Sequence, residues 1–353
     1  MKNVLFIIDS LGIGGAEKSL RTLAREMLKH NINVYIVIIY DKQQINIPDE
    51  IKLFVHHWQN YKFFKYYRNG KKLCKLIKDL HIDFSLVVVH LDKSIKLMKE
   101  CNLPKVYNVI HSNLSIQDLG DRKGIRRFIK KRKLQSIYNN LNLITVSKGI
   151  ERDILEVLEI QPRSIQTIYN PIDFDEIRGL AAGENSVKEE RYIVHVGRLE
   201  KVKRHDILLE AYKRANIEEK LVIVGDGSER ANIEKMISDL QLEEKVIMTG
   251  FLSNPYPVVK GAKLLVLTSD YEGFGLVLVE SLVLDTLSVS VNCPFGPNEI
   301  LVGSLKKFLI QQNNIEQLVD GIKNGLDSQM NCKIHDVIKH FSAVEIFNQY
   351  KRL

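Results

Sequence analysis

Cysteines are few in this sequence, and their spacing excludes two classes of protein. The chain has 353 residues and four cysteines, none of them in a C-x-x-C pair. The four are Cys74, Cys101, Cys293 and Cys332. We therefore expect neither a framework of disulfides nor a zinc site, and a reducing compartment fits this cysteine usage.

Long hydrophobic runs are absent as well. The longest, residues 34–40, is far shorter than the ~18 apolar residues that a transmembrane helix needs. The N-terminal run meets its first acid at Asp9, which is too early for a secretory signal. We therefore expect residues 4–8 to form a buried strand, and the protein to be cytoplasmic.

The charge is distributed unevenly, which bears on the partners of the protein. Residues 1–170 contain 29 Lys and Arg against 16 Asp and Glu, a net charge of +13, whereas residues 171–353 contain 22 against 27, a net charge of −5. This asymmetry indicates an anionic surface or polymer as a partner of the first half. The composition, 45% hydrophobic and 27% charged, is that of a folded globular protein and excludes disorder as the main state.

Short apolar runs alternate with amphipathic segments, which is typical of parallel α/β domains. The predicted strands are residues 4–8, 34–40, 85–90, 106–110, 143–146, 192–196, 220–224, 246–249, 263–268 and 287–291. Because most of these runs are apolar throughout, both sheet faces should be covered by helices. The pattern is interrupted after Asn170-Pro171 by a polar stretch. We predict two doubly wound domains, residues 1–170 and 191–334, joined by a linker over 171–190. A C-terminal helix, residues 335–353, could pack back on the first domain.

The first candidate ligand loop is GIGGAE, residues 12–17, between a predicted strand and a predicted helix. Glycines there would let backbone amides approach an anion at the helix N-terminus. The loop also fits a tight turn that binds nothing.

The second candidate is GRLEKVK, residues 197–203, directly after a predicted strand. Ligands bind at the carboxyl ends of parallel strands, and the fork of Arg198 suits a diphosphate, to which Lys203 could add a second charge. As isolated cations both would be ordinary surface residues.

The third candidate is SDYEGFGLVLVE, residues 269–280, again between a strand and a helix. In the loop, Glu272 could accept hydrogen bonds from sugar hydroxyls. On the helix, Glu280 could bind both hydroxyls of a ribose, as acidic residues do in dinucleotide sites, or it could be a plain surface residue.

Taken together and in this order, the motifs resemble those of the retaining family-4 glycosyltransferases of GT-B fold. The resemblance rests on the E-x7-E pair, the GRL…K segment and shorter matches over nearly the whole chain. These are GGAE at 14–17, VS at 146–147, IYNPID at 168–173, GDG at 225–227 and GF at 250–251. NPYP at 254–257 and CPFGPNEI at 293–300 are similar to bacterial members that build lipopolysaccharide, capsule or lipid-linked oligosaccharide.

The resemblance implies two Rossmann-like domains facing across a cleft, the first binding the acceptor and the second binding a nucleotide-sugar donor. Arg198 and Lys203 would hold the diphosphate and stabilise the departing nucleotide. Glu272 would hold donor sugar hydroxyls, Glu280 would bind the ribose, and His111 would lie near the donor sugar. Further residues would line the cleft or contact the donor: Gly14, Gly15, Gly197, Gly273, Phe274, Gly275 and Leu276. Transfer would retain the anomeric configuration, by a front-face route in which Glu272 is not the nucleophile.

One pattern competes with this interpretation. Asp173-Phe174-Asp175 is a D-x-D match of the kind that holds a divalent metal in GT-A glycosyltransferases. Its place at the linker favours linker acids, with Asp175 near a helix start. We therefore predict neither a metal nor another cofactor.

Two basic stretches suggest the partner of the first half. Residues 58–78 interleave aromatic and basic side chains, and residues 122–133 hold eight cations in twelve positions. Clusters of four to eight cations are typical of segments that bind anionic lipids, and aromatic residues suit the interface. An anionic membrane surface is therefore the expected partner. A solvated helix face and a nucleic-acid groove are the alternatives, although no nucleic-acid module is visible.

The sequence thus predicts a retaining hexosyl- or N-acetylhexosaminyltransferase that moves a sugar from a nucleotide-diphosphate sugar to a lipid-linked or polysaccharide acceptor. It would work at the inner face of a bacterial membrane. A non-catalytic scaffold with the same fold and a nucleotide-sugar epimerase are the alternatives. A Rossmann oxidoreductase is disfavoured, because no G-x-G-x-x-G with a following ribose acid is present.

Overall fold

The computed structural model describes residues 1–328 and 334–353, and the chain divides into two compact units. Unit 1 comprises Met1–Ile172 and Phe341–Leu353, and unit 2 comprises Asp173–His340. Cys332 lies outside the described residues.

Unit 1 contains a parallel sheet of seven strands in the order β3-β2-β1-β4-β5-β6-β7. The strands are β1 (Asn3–Ile8), β2 (Asn33–Ile38), β3 (Lys52–Val55), β4 (Leu86–His90), β5 (Val106–Ile110), β6 (Asn142–Thr145) and β7 (Ser164–Thr167). The helices are α1 (Gly15–Lys29), α2 (Lys65–Asp79), α3 (Asp92–Met98), α4 (Gly124–Tyr138), α5 (Lys148–Arg152) and the C-terminal α14 (Ala343–Tyr350). Two π-helical turns, Ser115–Leu119 and Asp153–Val157, complete it.

The core of unit 1 lies along the central strands. In β1 the side chains from Val4 to Ile8 are all fully buried, as expected for a strand covered on both faces. The strand order reverses between β1 and β4, which makes the carboxyl ends of these strands the topological switch point.

Unit 2 contains a second parallel sheet, ordered β10-β9-β8-β11-β12-β13. Its strands are β8 (Tyr192–Val196), β9 (Lys220–Val224), β10 (Val246–Gly250), β11 (Leu264–Leu267), β12 (Ser288–Val291) and β13 (Leu309–Ile310). Its helices are α6 (Phe174–Leu180), α7 (His205–Ala215), α8 (Arg230–Asp239), α9 (Tyr256–Gly261), α10 (Leu276–Val283), α11 (Pro297–Ile300), α12 (Ile315–Leu326) and α13 (Ile334–Ile338). Short 3₁₀ turns occupy Lys201–Lys203, Gly303–Phe308 and Lys339–Phe341. The predicted fold class, α/β with two parallel-sheet Rossmann-like domains, is confirmed.

Two local expectations differ from the structure. Residues 335–353 do not form one helix, because α14 starts afresh where Ser342 accepts a hydrogen bond from the Glu345 amide at 3.4 Å. The polar stretch after Pro171 contains α6, which Asp173 caps by accepting from the Glu176 amide at 3.0 Å.

One pair of cysteines forms a disulfide, which the cysteine usage did not predict, since it indicated no disulfide framework and a reducing compartment. Cys74 on α2 and Cys101 after α3 are joined by a disulfide. The two cysteines are 27 residues apart in sequence and are brought together by tertiary packing, which their spacing does not predict. Cys293 is free and buried.

No helix within residues 1–328 and 334–353 combines the length and the hydrophobicity needed to cross a membrane.

Candidate active site

Lys203 and Glu272 form an ion pair at the carboxyl edge of the unit 2 sheet. The Lys203 Nζ donates to Glu272 Oε1 at 2.7 Å, and the two side chains are only 18% and 13% exposed. Ser269 Oγ donates to the same carboxylate oxygen at 2.6 Å. The pair forms because Lys203 follows β8 and Glu272 follows β11, and these are neighbouring parallel strands. Their carboxyl ends therefore meet at one edge.

Backbone contacts hold the two loops of this pair together. The Asp270 amide donates to the Val202 carbonyl at 2.8 Å. Thr268 Oγ1 donates to the Lys203 carbonyl, also at 2.8 Å. Because these bonds join main chain to main chain and side chain to main chain, the Lys203 loop cannot move far without breaking the β11 loop contacts.

Arg198 does not join the Lys203–Glu272 pair. Its side chain is 73% exposed and contacts Glu200, with Nη1 2.9 Å from Oε1. An exposed ion pair of this kind contributes ~0–1 kcal/mol, so the guanidinium can turn to another anion at little cost.

Two glycines of unit 2 have positive φ angles, and one of them explains how two loops come so close. A Cβ on Gly225, where φ is +144°, would lie 1.9 Å from the Gly197 carbonyl oxygen, so only glycine lets the loops after β8 and β9 touch. Gly275, where φ is +91°, directly precedes α10. The remaining predicted residues, Gly273, Phe274 and Leu276, surround that helix start, and the Phe274 side chain is buried.

Glu280 lies in the second turn of α10 and is buried rather than exposed on the helix surface. A buried carboxylate is uncommon unless it has polar partners. Its burial therefore disfavours the interpretation of Glu280 as a plain surface residue.

Three buried groups near the ion pair are held in their neutral forms. Burial, with the Glu272 carboxylate nearby, raises the pKa of the Cys293 thiol to about 12, so this thiol is not a nucleophile at neutral pH. Burial lowers the pKa of His195 to about 3 and that of His205 to about 4. His195 Nδ1 donates to the Val266 carbonyl at 2.9 Å.

In unit 1, His111 lines a cavity of about 390 Å³ at the switch point of the sheet. The cavity lies outside the carboxyl ends of β1, β4 and β5, and Asp9 and Gln117 also line it. Burial lowers the pKa of His111 to about 4. Its Nε2 is 2.8 Å from Nδ1 of His90.

Gly14 and Gly15 lie at the start of α1, as predicted, but a side chain of the same helix lies over Gly14. Gly14 is the N-cap residue, and the carboxylate of Glu17 folds back against it. A carboxylate is the group that a helix N-terminus favours, so Glu17 occupies the position expected for a bound anion.

Sequence reasoning missed Ser269 and His90. Ser269 stands three residues before Glu272, a spacing at which a hydroxyl can reach a loop carboxylate. His90 ends an otherwise apolar strand, and a polar residue at the carboxyl end of a parallel strand could have indicated a site residue.

Comparison with known proteins agrees with the fold and the motif order. The family model described as Glycosyltransferase Family 4 matches residues 13–176, and Glycosyl transferases group 1 matches residues 179–339. The chain is 30% identical over 333 residues to the N-acetylgalactosamine-N,N'-diacetylbacillosaminyl-diphospho-undecaprenol 4-alpha-N-acetylgalactosaminyltransferase of Campylobacter jejuni, covering 93% of this chain and 91% of that protein. It is 28% identical over 201 residues to the lipopolysaccharide 1,6-galactosyltransferase of Salmonella typhimurium, which is 55% of each chain.

A solved structure supports the fold independently. HepE of Anabaena, in complex with UDP and glucose, superposes with a TM-score of 0.76 at 17% identity, covering 100% of this chain and 99% of that one. The fold and the family matches define a glycosyltransferase with two Rossmann-like domains. The chain belongs to glycosyltransferase family 4, as its motifs suggested.

Proposed function

We propose that this glycosyltransferase moves a hexosyl or N-acetylhexosaminyl group from a nucleotide-diphosphate sugar to a lipid-linked or polysaccharide acceptor, with retention at the anomeric carbon. The product belongs to a bacterial surface glycan. The observation that carries the proposal is the Lys203–Glu272 pair at the carboxyl edge of the unit 2 sheet.

The pair supplies the two kinds of chemistry that such a transfer needs. As the glycosidic bond breaks, negative charge grows on the departing nucleotide, and a fixed ammonium stabilises it. Lys203 is held by Glu272, and Arg198 is free to turn from Glu200 toward the same diphosphate. Glu272 has a second carboxylate oxygen, Oε2, that can accept from sugar hydroxyls, since Lys203 and Ser269 both donate to Oε1.

The acceptor class is inferred from the relatives and from unit 1. The Campylobacter relative acts on a diphospho-undecaprenol substrate by its name. A lipid-linked acceptor requires the protein to reach a membrane surface, and we propose that unit 1 does this from the cytoplasmic side of the plasma membrane.

Helix α4 supports the membrane proposal. Ile125, Phe128 and Ile129 are each more than half exposed and share one face of the helix, since they are three and four residues apart. Eight basic residues lie before, between and after these three along residues 122–133: Arg122, Lys123, Arg126, Arg127, Lys130, Lys131, Arg132 and Lys133. Apolar side chains between cations are typical of helices that lie in a membrane interface. Only the last turns of α4, from Leu134 onward, are buried in the core.

The transfer reaction is tested by a screen of UDP-, GDP- and CMP-sugars. We expect one nucleotide sugar to stabilise the purified protein, by ~2.7 kcal/mol at a hundred times its Kd. With bacterial lipid extract, the same donor should release its nucleotide whether or not EDTA is present. Glu272→Ala and Arg198→Ala should fold and lose this release. Full turnover in both variants would contradict the assigned site. If no donor stabilises the protein or releases its nucleotide, the alternative of a non-catalytic scaffold is favoured.

A further inference from the structure

Two histidines meet at the carboxyl edge of the unit 1 sheet. His90 is the last residue of β4, and His111 directly follows β5, the neighbouring strand. Nδ1 of His90 and Nε2 of His111 are 2.8 Å apart, and the rings are stacked with their centroids 5.1 Å apart. His90 is 1% exposed, whereas His111 also lines the cavity.

A proton count limits how this pair can be arranged. Burial lowers the pKa of both histidines, so both are neutral near pH 7. A neutral imidazole has one donor and one acceptor nitrogen, so a single proton lies between the two rings. Either His90 donates through Nδ1, or His111 donates through Nε2.

The other nitrogen of His90 decides between the two arrangements. His90 Nε2 is buried and has no hydrogen-bond partner among the residues that the structure describes. If it carried the proton, a buried N–H would be left without an acceptor, which folded proteins rarely tolerate. With the proton on Nδ1, only a lone pair is left unpaired. His90 is then the donor, and His111 must carry its own proton on Nδ1.

We infer that His90 is a positioning residue: it fixes His111 in the Nδ1–H tautomer, so that His111 offers an N–H donor to a hydroxyl or carbonyl oxygen of a sugar in the unit 1 cavity. The inference rests on the proposed function for the nature of the ligand. The cavity lies at the switch point, where ligands of open parallel sheets bind.

The chemistry of the cavity wall fits this role. Its carboxylates, Asp9, Asp92 and Asp118, can only accept hydrogen bonds when ionised. Sugar hydroxyls donate to such groups but also present lone pairs and, in N-acetyl sugars, a carbonyl. An imidazole N–H supplies a donor that the carboxylates cannot.

The tautomer is measured directly, without any substrate. Protein labelled with ¹⁵N-histidine gives long-range ¹H–¹⁵N spectra that distinguish protonated from unprotonated ring nitrogens, and a His111→Gln spectrum assigns the signals. We expect His111 to be protonated at Nδ1 in the wild type and to lose this fixed state in His90→Leu. An unprotonated Nδ1 on His111 in the wild type, or an unchanged His111 tautomer in His90→Leu, would overturn the inference.

A matched pair of variants tests the effect on transfer. Asn and Leu are similar in size, but only the Asn amide can donate from near the place of His90 Nδ1. We expect kcat/KM for the donor to fall about tenfold in His90→Leu, as for one lost hydrogen bond, and to stay within about threefold of wild type in His90→Asn. Equal losses in the two variants would reject the positioning role. If the wild type transfers no sugar at all, the proposed function fails, while the spectra still decide the tautomer.

Discussion

The ion pair between Lys203 and Glu272 makes the sharpest prediction about stability. Both side chains are more than four-fifths buried, with Nζ and Oε1 2.7 Å apart. Lys203→Met removes the ammonium group. The Glu272 carboxylate then keeps the hydrogen bond from the Ser269 hydroxyl but loses its opposite charge. Breaking a buried pair from one side costs ~3–5 kcal/mol, and the residual exposure of this pair favours the lower end, about 3 kcal/mol.

Removing both charges should cost less than removing one. In the double variant Lys203→Met with Glu272→Gln, no uncompensated charge is left, and the amide can still accept from Ser269. We expect the double variant to be only about 1 kcal/mol less stable than wild type, because replacing both partners is often nearly neutral. The coupling between the two sites should therefore be about 2 kcal/mol or more, within the range for residues in contact.

Thermal unfolding of the four proteins at one pH measures this coupling. At ~2–4 °C per kcal/mol for a domain of this size, Lys203→Met should melt about 6–12 °C below wild type, and the double variant about 2–4 °C below it. Nucleotide release from the donor, measured on the same samples, should be lost in the double variant although its stability is nearly restored. Additive effects on the melting temperature, or release that recovers with stability, would refute the reasoning.

Three further predictions concern unit 1. The pKa of His111 is lowered to about 4 in the folded protein against about 6.5 in the unfolded chain, so the unfolded chain takes up a proton first and the free energy of unfolding falls as the pH drops from 6.5 toward 4. Between pH 7.5 and 5 the free energy of unfolding of the wild type should fall by about 2 kcal/mol more than that of His111→Phe. Chemical denaturation at both pH values measures this difference, and equal losses in the two proteins would contradict it. Phe128→Ser should reduce the fraction of protein that sediments with vesicles of 30 mol% phosphatidylglycerol. Phe251→Ser, which removes an equally exposed phenylalanine of unit 2, should leave that fraction unchanged. Equal binding by both variants would contradict the proposal that α4 contacts the membrane. Reduction of the Cys74–Cys101 bridge, which closes a span of 27 residues, should lower the free energy of unfolding by about 3–4 kcal/mol, and a melt that dithiothreitol leaves unchanged would contradict this.

Strands covered on both faces were the features most open to prediction from sequence. The apolar run over residues 4–8 predicted β1, and the runs at 106–110, 192–196 and 220–224 match their strands residue for residue. The edge strands β3, β7 and β13 were missed, whereas the edge strand β10 was predicted at residues 246–249. In β7 (Ser164–Thr167) the side chains alternate between exposed and half-buried, so the segment carries no continuous apolar signal.

Side-chain partners were less open to prediction than element positions. That Lys203 and Glu272 lie at the same sheet edge could be predicted, because each follows a parallel strand. The sequence could not reveal that Arg198 turns to Glu200 instead, since that choice depends on rotamers at the surface. The Glu17 carboxylate lies over Gly14, and this local conformation likewise could not be predicted from the GGAE motif.

Contacts between segments far apart in sequence were beyond the reach of pattern reasoning. The disulfide between Cys74 and Cys101 depends on the packing of α2 against α3, and the His90–His111 pair on the neighbouring positions of β4 and β5. Such pairings require the strand order, which the alternation of strands and helices leaves open.

The measurement that tests the central claim most directly follows a labelled sugar from its nucleotide donor to a lipid acceptor. Wild-type protein with the donor that stabilises it and with bacterial lipid extract should release one nucleotide for each sugar that appears on the lipid. NMR of the product should show the anomeric configuration of the donor. A free sugar nucleotide of altered configuration, an inverted linkage, or no transfer with any donor would contradict the proposal that this protein is a retaining sugar transferase.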